Sequence, residues 1–279
     1  MKVSILVPAY NEQATIGIVL RKLTALELSQ RIDGPKIDKE IVIVDDGSTD
    51  GTYQLVEAIL QKDSQLREYV RLIRQPRNMG KTAAIATAIQ AASGDVIIIQ
   101  DADLEYDPKE IPDVLNPIFE NWADVVYGSR FLVKKASRVL YFYHYVANKF
   151  LTLLCNVLTN RNMSDIETCY KAFRREVIVP MELTSKGFGM EVEITAMVCK
   201  TRARTYEVPI SYYGRTYDEG KKIGVWDGIA AIWYILYYNV IHPLSVQGQS
   251  YIQTVNRSLK ELHESMPPGE CEPYSPHEN

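Results

Sequence analysis

Five short, predominantly apolar runs dominate the first 130 residues of this 279-residue chain: residues 3–7, 41–44, 70–73, 96–99 and 125–127. None alternates apolar with polar residues, as a strand with one wet face would. Unbroken apolar runs suit strands buried on both faces of a parallel sheet. The stretches between them read as helices. Residues 12–28 place Ile16, Val19, Leu20 and Leu23 on one face, and residues 52–60 follow a Ser48-Thr49-Asp50 start signal. Residues 82–92 are rich in alanine and run up to Gly94, which the pattern predicts as the residue just past the helix end, and Pro108 stands near the start of the next helix. Strand–helix alternation with short connections predicts an α/β domain with a mostly parallel sheet flanked by helices. Such sheets bind ligands at the carboxyl ends of their strands. The polar clusters Pro8 to Glu12, Asp45 to Ser48 and Asp101 to Asp103 all fall there.

The carboxylates in those clusters carry the candidate chemistry. Asp101 and Asp103, with Glu105, form an i, i+2, i+4 series of acids at a strand exit. Hard oxygen donors in a loop suit Mg²⁺ or Mn²⁺, with water and substrate phosphates completing the shell. Such a cation neutralises the charge developing on a diphosphate leaving group. Asp45 and Asp46, at another strand tip, can accept from a nucleobase N–H or a ribose hydroxyl, while Asp50 is placed to cap the helix that follows. Asn78-Met79-Gly80-Lys81 precedes the alanine-rich helix, so Gly80, Lys81 and the helix N-terminus form a candidate anion site. The spacing is not that of a P-loop.

These motifs carry a resemblance. VPAYNE at 7–12, VDDGSTDGT at 44–52, NMGKTAA at 78–84, QDADLEYDP at 100–108 and GSRF at 128–131 resemble glycosyltransferase family 2. The similarity is to its branch of dolichyl-phosphate mannose synthases and bacterial polyprenyl-phosphate glycosyltransferases. It continues through SDIETCYKAFRREV at 164–177, GFGMEVEI at 187–194, VPISYYGRTYDEGKKIG at 208–224 and WDGI at 226–229. The resemblance implies a type A glycosyltransferase fold with a Rossmann-like nucleotide-binding sheet, Mg²⁺ or Mn²⁺, and inversion at the anomeric carbon of a hexose taken from GDP-mannose, UDP-glucose or a similar donor. By position it implies that Pro8, Ala9, Tyr10, Glu12, Asp45 and Asp46 surround the nucleoside, with Asp101 and Ala102 beside it. The metal falls to Asp101, Asp103 and Glu105, the last standing where these synthases typically have Gln. Arg130 meets the diphosphate or the acceptor phosphate, and Arg215 with Lys221 or Lys222 closes over the diphosphate. Asp165 falls where many members keep a base, with Glu191 and Glu193 as weaker alternatives.

Charge is uneven along the chain. Residues 1–129 hold 13 Lys/Arg against 20 Asp/Glu, residues 130–222 hold 16 against 9, and residues 223–279 hold 2 against 6, for a net −4. The acidic balance argues against a nucleic-acid partner. The basic middle opens with Arg130, Lys134, Lys135 and Arg138 and runs into an apolar segment at 139–158, the pairing a lipid phosphate at a membrane surface needs. Leu140, Leu151 and Leu154 are its expected membrane face. A second segment, 229–241, carries Trp233, Tyr234, Tyr237 and Tyr238, residues suited to a membrane interface. Neither segment is a clean 20-residue span, so no transmembrane helix is predicted. Cys155, Cys169, Cys199 and Cys271 form no CxxC pair, and no signal peptide precedes the first strand. The expectation is a cytoplasmic protein, peripheral at the inner face of the membrane, with homo-oligomerisation left open. It comprises a catalytic domain at 1–225, a helical segment at 226–262 and a disordered tail at 263–279. Two other readings compete: a transferase of the same fold with a soluble or saccharide acceptor, and a non-catalytic nucleotide-binding homologue.

Overall fold

All five apolar runs are strands. The computed structural model describes residues 1–29, 36–132, 139, 141–187, 189–214 and 225–265, with the backbone alone at 225–227. The strands are β1 (Lys2–Ala9), β2 (Asp38–Asp45), β3 (Val70–Arg74), β4 (Val96–Ile99), β5 (Val125–Ser129), β6 (Lys171–Arg174) and β7 (Thr205–Pro209). They form one sheet in the order β3-β2-β1-β4-β6-β5-β7. β1, β2, β3 and β4 pair in parallel, as do β5 and β7, while β6 runs antiparallel to both β4 and β5. The last two strands were not legible as apolar runs, because Lys171, Arg174 and Glu207 interrupt them.

The strand pleat sends alternate residues to two cores. Val3, Ile5, Val7, Ile41, Ile43, Val96 and Ile98 meet α1 (Ile16–Ala25), α2 (Thr52–Lys62) and α4 (Ile111–Phe119) on one face. Leu6, Val42, Val44, Ile97, Ile99 and Phe173 meet the other helices on the opposite face: α3 (Lys81–Ala91), α5 (Phe142–Thr159), α6 (Arg175–Ile178), α7 (Gly189–Cys199), α8 (Val225–Leu236) and α9 (Val246–Ser265). A π-helical turn, Tyr237–Ile241, and a short 3₁₀ turn, His242–Leu244, link α8 to α9. Ala231, Ile235, Tyr251, Val255 and Leu259 place both C-terminal helices in the same core as the sheet. Residues 266–279, with Cys271, lie outside the described residues.

The N-cap of α2 is Gly51, and Asp50, one residue earlier than the cap position, still engages the first turn, accepting from the Thr52 amide at 3.0 Å and its hydroxyl at 2.6 Å. Gly94 is not a left-handed helix terminus. A Cβ there would lie 2.6 Å from Ser4 Oγ and 2.7 Å from Ser4 N, so the glycine lets the chain pass against β1. Gly47, with φ of +69°, makes the turn after β2 where a Cβ would strike the Arg77 backbone at 2.5 Å.

Asp124, fully buried before β5, ties the far half of the sheet together. It accepts from the Arg204 amide at 2.8 Å and Nη2 at 2.9 Å, stands 3.3 Å from Arg174 Nε at the end of β6, and meets His263 Nε2 of α9 at 2.9 Å. Burial would raise its pKa, but Arg204 and His263 outweigh it and hold the carboxyl below its ordinary value. Asp124→Ala leaves the buried Arg174 and the half-buried Arg204 uncompensated and is expected to destabilise the fold by about 3–5 kcal/mol. Urea unfolding at neutral pH measures this, and a loss under about 1 kcal/mol would contradict it.

Candidate active site

Loops leave the carboxyl ends of β1, β2 and β4, and the first two interlock. Asp46 N donates to Ala9 O at 2.8 Å, Asn11 Oδ1 accepts from Thr49 N at 2.8 Å, and Glu12 N donates to Thr52 Oγ1 at 2.9 Å. Pro8 and Ala9 end β1, Tyr10 is exposed beyond them, and the Glu12 carboxylate accepts from Thr15 Oγ1 at 2.7 Å. Asp45, fully buried between Ala9 and Arg74 in the sheet, accepts from Ser48 N at 3.2 Å, and Arg74 Nε lies 3.6 Å from its Oδ2. Its Oδ1 has no hydrogen-bond partner among the described residues. A buried carboxylate oxygen left unmatched is costly, and its natural complement is a donor from outside the chain. Asp46 faces the other way: its two oxygens accept from Met79 N at 2.7 Å and Gly80 N at 2.8 Å, so it shapes the loop before α3 instead of facing the Asp45 opening.

The candidate anion site at Gly80 and Lys81 takes a different form. The Lys81 ammonium lies 2.9 Å from Asp101 Oδ1, 3.0 Å from Cys169 Sγ and 3.4 Å from Glu191 Oε1. Burial opposes its charge, but these three neighbours together hold its pKa well above the ordinary lysine value. Asp101 is therefore an ion-pair partner before it is a metal ligand. Beyond it, Ala102 is buried, Asp103 Oδ1 accepts from Glu105 N at 3.1 Å, and Glu105 Oε2 accepts from Tyr212 OH at 2.8 Å. Leu104 between them has φ of +62°, a left-handed conformation that costs a non-glycine residue about 1–3 kcal/mol and marks a loop held in place by its surroundings. Among the described residues no three His, Cys, Asp or Glu side chains converge to hold a metal, so Asp101, Asp103 and Glu105 are not a preassembled three-carboxylate cage.

Asp165 and Arg130, 35 residues apart, form a bidentate pair. Arg130 Nε donates to Asp165 Oδ2 and Nη2 to Oδ1, both at 2.7 Å, and the Arg130 amide adds a third bond at 3.1 Å. Burial would raise the Asp165 pKa, but the guanidinium outweighs it and holds the carboxyl below its ordinary value. A fully buried carboxylate with both oxygens engaged and a lowered pKa is a poor proton acceptor. The geometry thus ties Asp165 to Arg130 and does not favour the general-base role expected for it. The guanidinium also lies 5.1 Å over the Tyr212 ring, and its Nη1 makes no hydrogen bond among the described residues.

Several participants were not legible in the sequence. Glu207 of β7 accepts from Ser164 N at 2.9 Å and Asp165 N at 3.2 Å, pinning the turn that presents Asp165. Glu167 follows two residues on; burial first, then Glu191, push its pKa well above the usual carboxylate range, and its Oε1 has no partner among the described residues. Lys149 of α5 donates to Ser164 O at 3.1 Å and lies 4.3 Å over the Phe131 ring, joining α5 to the Arg130 loop. Of the weaker alternatives, Glu191 joins Lys81, whereas Glu193 turns away to accept from Thr184 N and Ser185 N at 2.9 Å each. Arg215, Lys221, Lys222, Lys134, Lys135, Arg138 and Leu140 lie outside the described residues.

Residues 4–179 match the family model described as glycosyl transferase family 2. The chain belongs to glycosyl transferase family 2. A dolichol-phosphate mannosyltransferase of Pyrococcus furiosus is 30% identical over 228 residues, 80% of this chain and 60% of that protein. An undecaprenyl-phosphate 4-deoxy-4-formamido-L-arabinose transferase of Photorhabdus laumondii is 30% identical over 223 residues, 79% of this chain and 62% of that one. This chain thus spans about 60% of the length of these curated relatives. The glucosyl-3-phosphoglycerate synthase of Mycobacterium tuberculosis, solved with Mn²⁺, uridine diphosphate and glucosyl-3-phosphoglycerate, superposes with a TM-score of 0.60 at 21% identity, over 85% of this chain and 80% of that one. That likeness and the seven-stranded sheet establish the type A glycosyltransferase fold expected from the motifs.

The Arg130–Asp165 pair separates two roles experimentally. Asp165→Asn is expected to lower turnover by about 10- to 100-fold through a loosened Arg130, equally at every pH. A general base would instead give an acidic limb in the pH–rate profile that disappears in the Asn variant, and that result would restore Asp165 as the base.

Proposed function

We propose that the chain is an inverting glycosyltransferase that moves a hexose from a nucleoside-diphosphate sugar to a polyprenyl phosphate at a membrane surface. The observation that carries this reading is the junction between the Arg130 loop and α5. Arg130 leaves Nη1 open beside Phe131, whose ring meets Tyr145 of α5 edge-on at 5.3 Å and lies under Lys149. From there α5 exposes Phe142, Tyr143, Phe150, Leu153 and Val157 to solvent while burying Leu151 and Cys155. A cationic mouth opening onto an apolar helix face suits a phosphate carried on a hydrocarbon chain. The face is turned from the one expected: Leu151 is buried and Leu154 packs on the core, so neither points outward. Among the described residues no single helix is long and apolar enough to cross a membrane; residues 228–244 and 246–265 pass that test only as a pair bent by 80°. The names of the two curated relatives support a polyprenyl-phosphate acceptor.

The residues then divide the work. Asp45 Oδ1 accepts a donor from the nucleoside, with Ala9 and Tyr10 beside it. Asp101, Lys81 and Glu191 present acceptors and a donor to the sugar hydroxyls. Asp103 and Glu105 supply oxygen donors without thiolate or imidazole, which fits Mg²⁺ or Mn²⁺ better than zinc. When bound, such a cation supplies charge neutralisation for the diphosphate. Arg130, held by Asp165, orients the acceptor phosphate so that its oxygen attacks the anomeric carbon opposite the diphosphate. With a second pKa of about 6, that phosphate is largely ionised at neutral pH and needs orientation more than a base.

A second reading, a soluble phosphorylated acceptor, is favoured by the structural neighbour that binds glucosyl-3-phosphoglycerate. The two separate when a panel of nucleotide sugars is incubated with Mg²⁺ or Mn²⁺ and either polyprenyl phosphate or phosphoglycerate, with mass analysis of both phases. The lipid reading expects a glycosyl-phosphoryl polyprenol, lost in Asp103→Ala and with chelator; sugar appearing only in the aqueous phase would overturn it. Phe142→Asp, Phe150→Asp and Leu153→Asp together remove roughly 1.5–3 kcal/mol of apolar burial per side chain from a membrane contact. They are expected to release the protein from floated liposomes while it stays folded; wild type that never floats would contradict membrane docking.

A further inference from the structure

Tyr212, just past the end of β7, touches both halves of the candidate active site. Its hydroxyl donates to Glu105 Oε2 at 2.8 Å, and its ring lies under the Arg130 guanidinium at 5.1 Å. Glu105 belongs to the acidic loop after β4, whereas Arg130 follows β5 and is gripped along its edge by Asp165. The backbone around Tyr212 is pinned on both sides. Ile210 N donates to Ser129 O at 3.1 Å, and Tyr213 N donates to Glu105 O at 2.9 Å. Ser211 donates to the Glu110 carboxylate through its amide at 2.9 Å and its hydroxyl at 2.8 Å. The ring itself packs on Tyr106, 5.4 Å between centroids, and Tyr106 is 2% exposed and meets Tyr170 at 4.9 Å. Tyr212 is thus fixed from below, and its two polar partners take their places against it.

Each contact has its own consequence. A phenol with an ordinary pKa of about 10 is protonated at neutral pH, so the hydroxyl donates and the carboxylate accepts. Glutamate is a long side chain that loses rotamer freedom when it ligates a cation. A carboxylate already held by a neighbouring donor loses less, and supporting hydrogen bonds of this kind change metal affinity by about 10- to 100-fold. The ring acts on Arg130 without a hydrogen bond. It offers its π-face to one side of the guanidinium while Asp165 holds the edge, so the plane of the fork is set as well as its position. We propose that Tyr212 is a positioning residue that holds the cation site and the acceptor site in fixed relation: its hydroxyl sets Glu105 for the divalent cation, and its ring sets Arg130 for the acceptor phosphate. This role rests on the transferase reading, which places those two ligands at Glu105 and Arg130.

Tyr212→Phe, which keeps the ring and removes only the hydroxyl, separates the two contacts. Mn²⁺ is titrated into the full chain with saturating UDP or GDP, against a nucleotide-only blank, and the free ion is followed by electron paramagnetic resonance. That readout needs neither acceptor nor turnover. Tyr212→Phe is expected to bind Mn²⁺ about tenfold more weakly than wild type, while its KM for a short polyprenyl phosphate stays within about twofold. Glu105→Gln should also weaken Mn²⁺ binding, and adding Tyr212→Phe to it should cost little more, because the hydroxyl acts through that carboxylate. Tyr212→Leu removes the ring as well, and the KM for the lipid phosphate should then rise by about 3- to 30-fold. If the Leu variant does not fold, the Phe variant and its combination with Glu105→Gln still decide. A Tyr212→Phe loss that adds in full to that of Glu105→Gln would overturn the assignment, as would a folded Leu variant with the wild-type KM for lipid phosphate. Wild type that binds no Mn²⁺ would overturn the cation reading itself, whereas wild-type Mn²⁺ affinity in Tyr212→Phe would overturn the role of Tyr212 alone.

Discussion

The reversed strand β6 sets the geometry on which the rest depends. Because it runs against β4 and β5, its amino end lies at the same edge of the sheet as their carboxyl ends, with Ala172 opposite Ile98 and Lys171 opposite Tyr127. The segment that leads into β6, residues 164–170, therefore arrives where the β4 and β5 loops depart. That meeting gives Asp165 its reach to Arg130 and Cys169 its contact with Lys81. A parallel β6 would carry the same residues to the opposite edge of the sheet and leave both cations without these partners.

Buried charge follows from the same arrangement. Lys171, inside the sheet, donates to the carbonyls of Ile166 and Thr168, so its ammonium folds the preceding loop back on itself. Burial lowers its pKa, and the acids around it work in the opposite direction. Arg130 is paired one to one with Asp165, and the Lys81 ammonium is shared between Asp101 and Glu191. Pairs of this kind contribute little net stability but make one geometry strongly preferred once desolvated. The match is incomplete at Asp45 Oδ1 and Arg130 Nη1, the two atoms proposed to meet substrate, and also at Glu167 Oε1.

The contrast between what was legible and what was not follows the range of each interaction. Strands such as Val96–Ile99, buried on both faces, announce themselves because every residue is apolar. β6 and β7 do not, since Lys171 is satisfied by the carbonyls of the loop just before it, while Arg174 and Glu207 are answered by Asp124 and the 164–165 amides, far away in the chain. The acidic loop after β4 was visible as a local spacing. That Asp101 faces Lys81, that Asp46 faces the Met79 and Gly80 amides, and that Asp165 grips Arg130 are pairings across 20 to 35 residues that spacing does not encode. Gly94 misled for a related reason: helix-end glycines and close-approach glycines look alike until the neighbouring strand is known.

Arg130 stands at the junction of a buried ion pair, an aromatic cluster and an exposed apolar helix, the place proposed for the acceptor phosphate. Steady-state kinetics of Arg130→Lys with a short polyprenyl phosphate test that assignment most directly. Lysine keeps the charge but loses the planar fork that Asp165 grips. The KM for the lipid phosphate is expected to rise by about tenfold or more while the KM for the nucleotide sugar changes by less than about twofold. A raised KM for the nucleotide sugar with an unchanged KM for the acceptor would contradict it and assign Arg130 to the diphosphate.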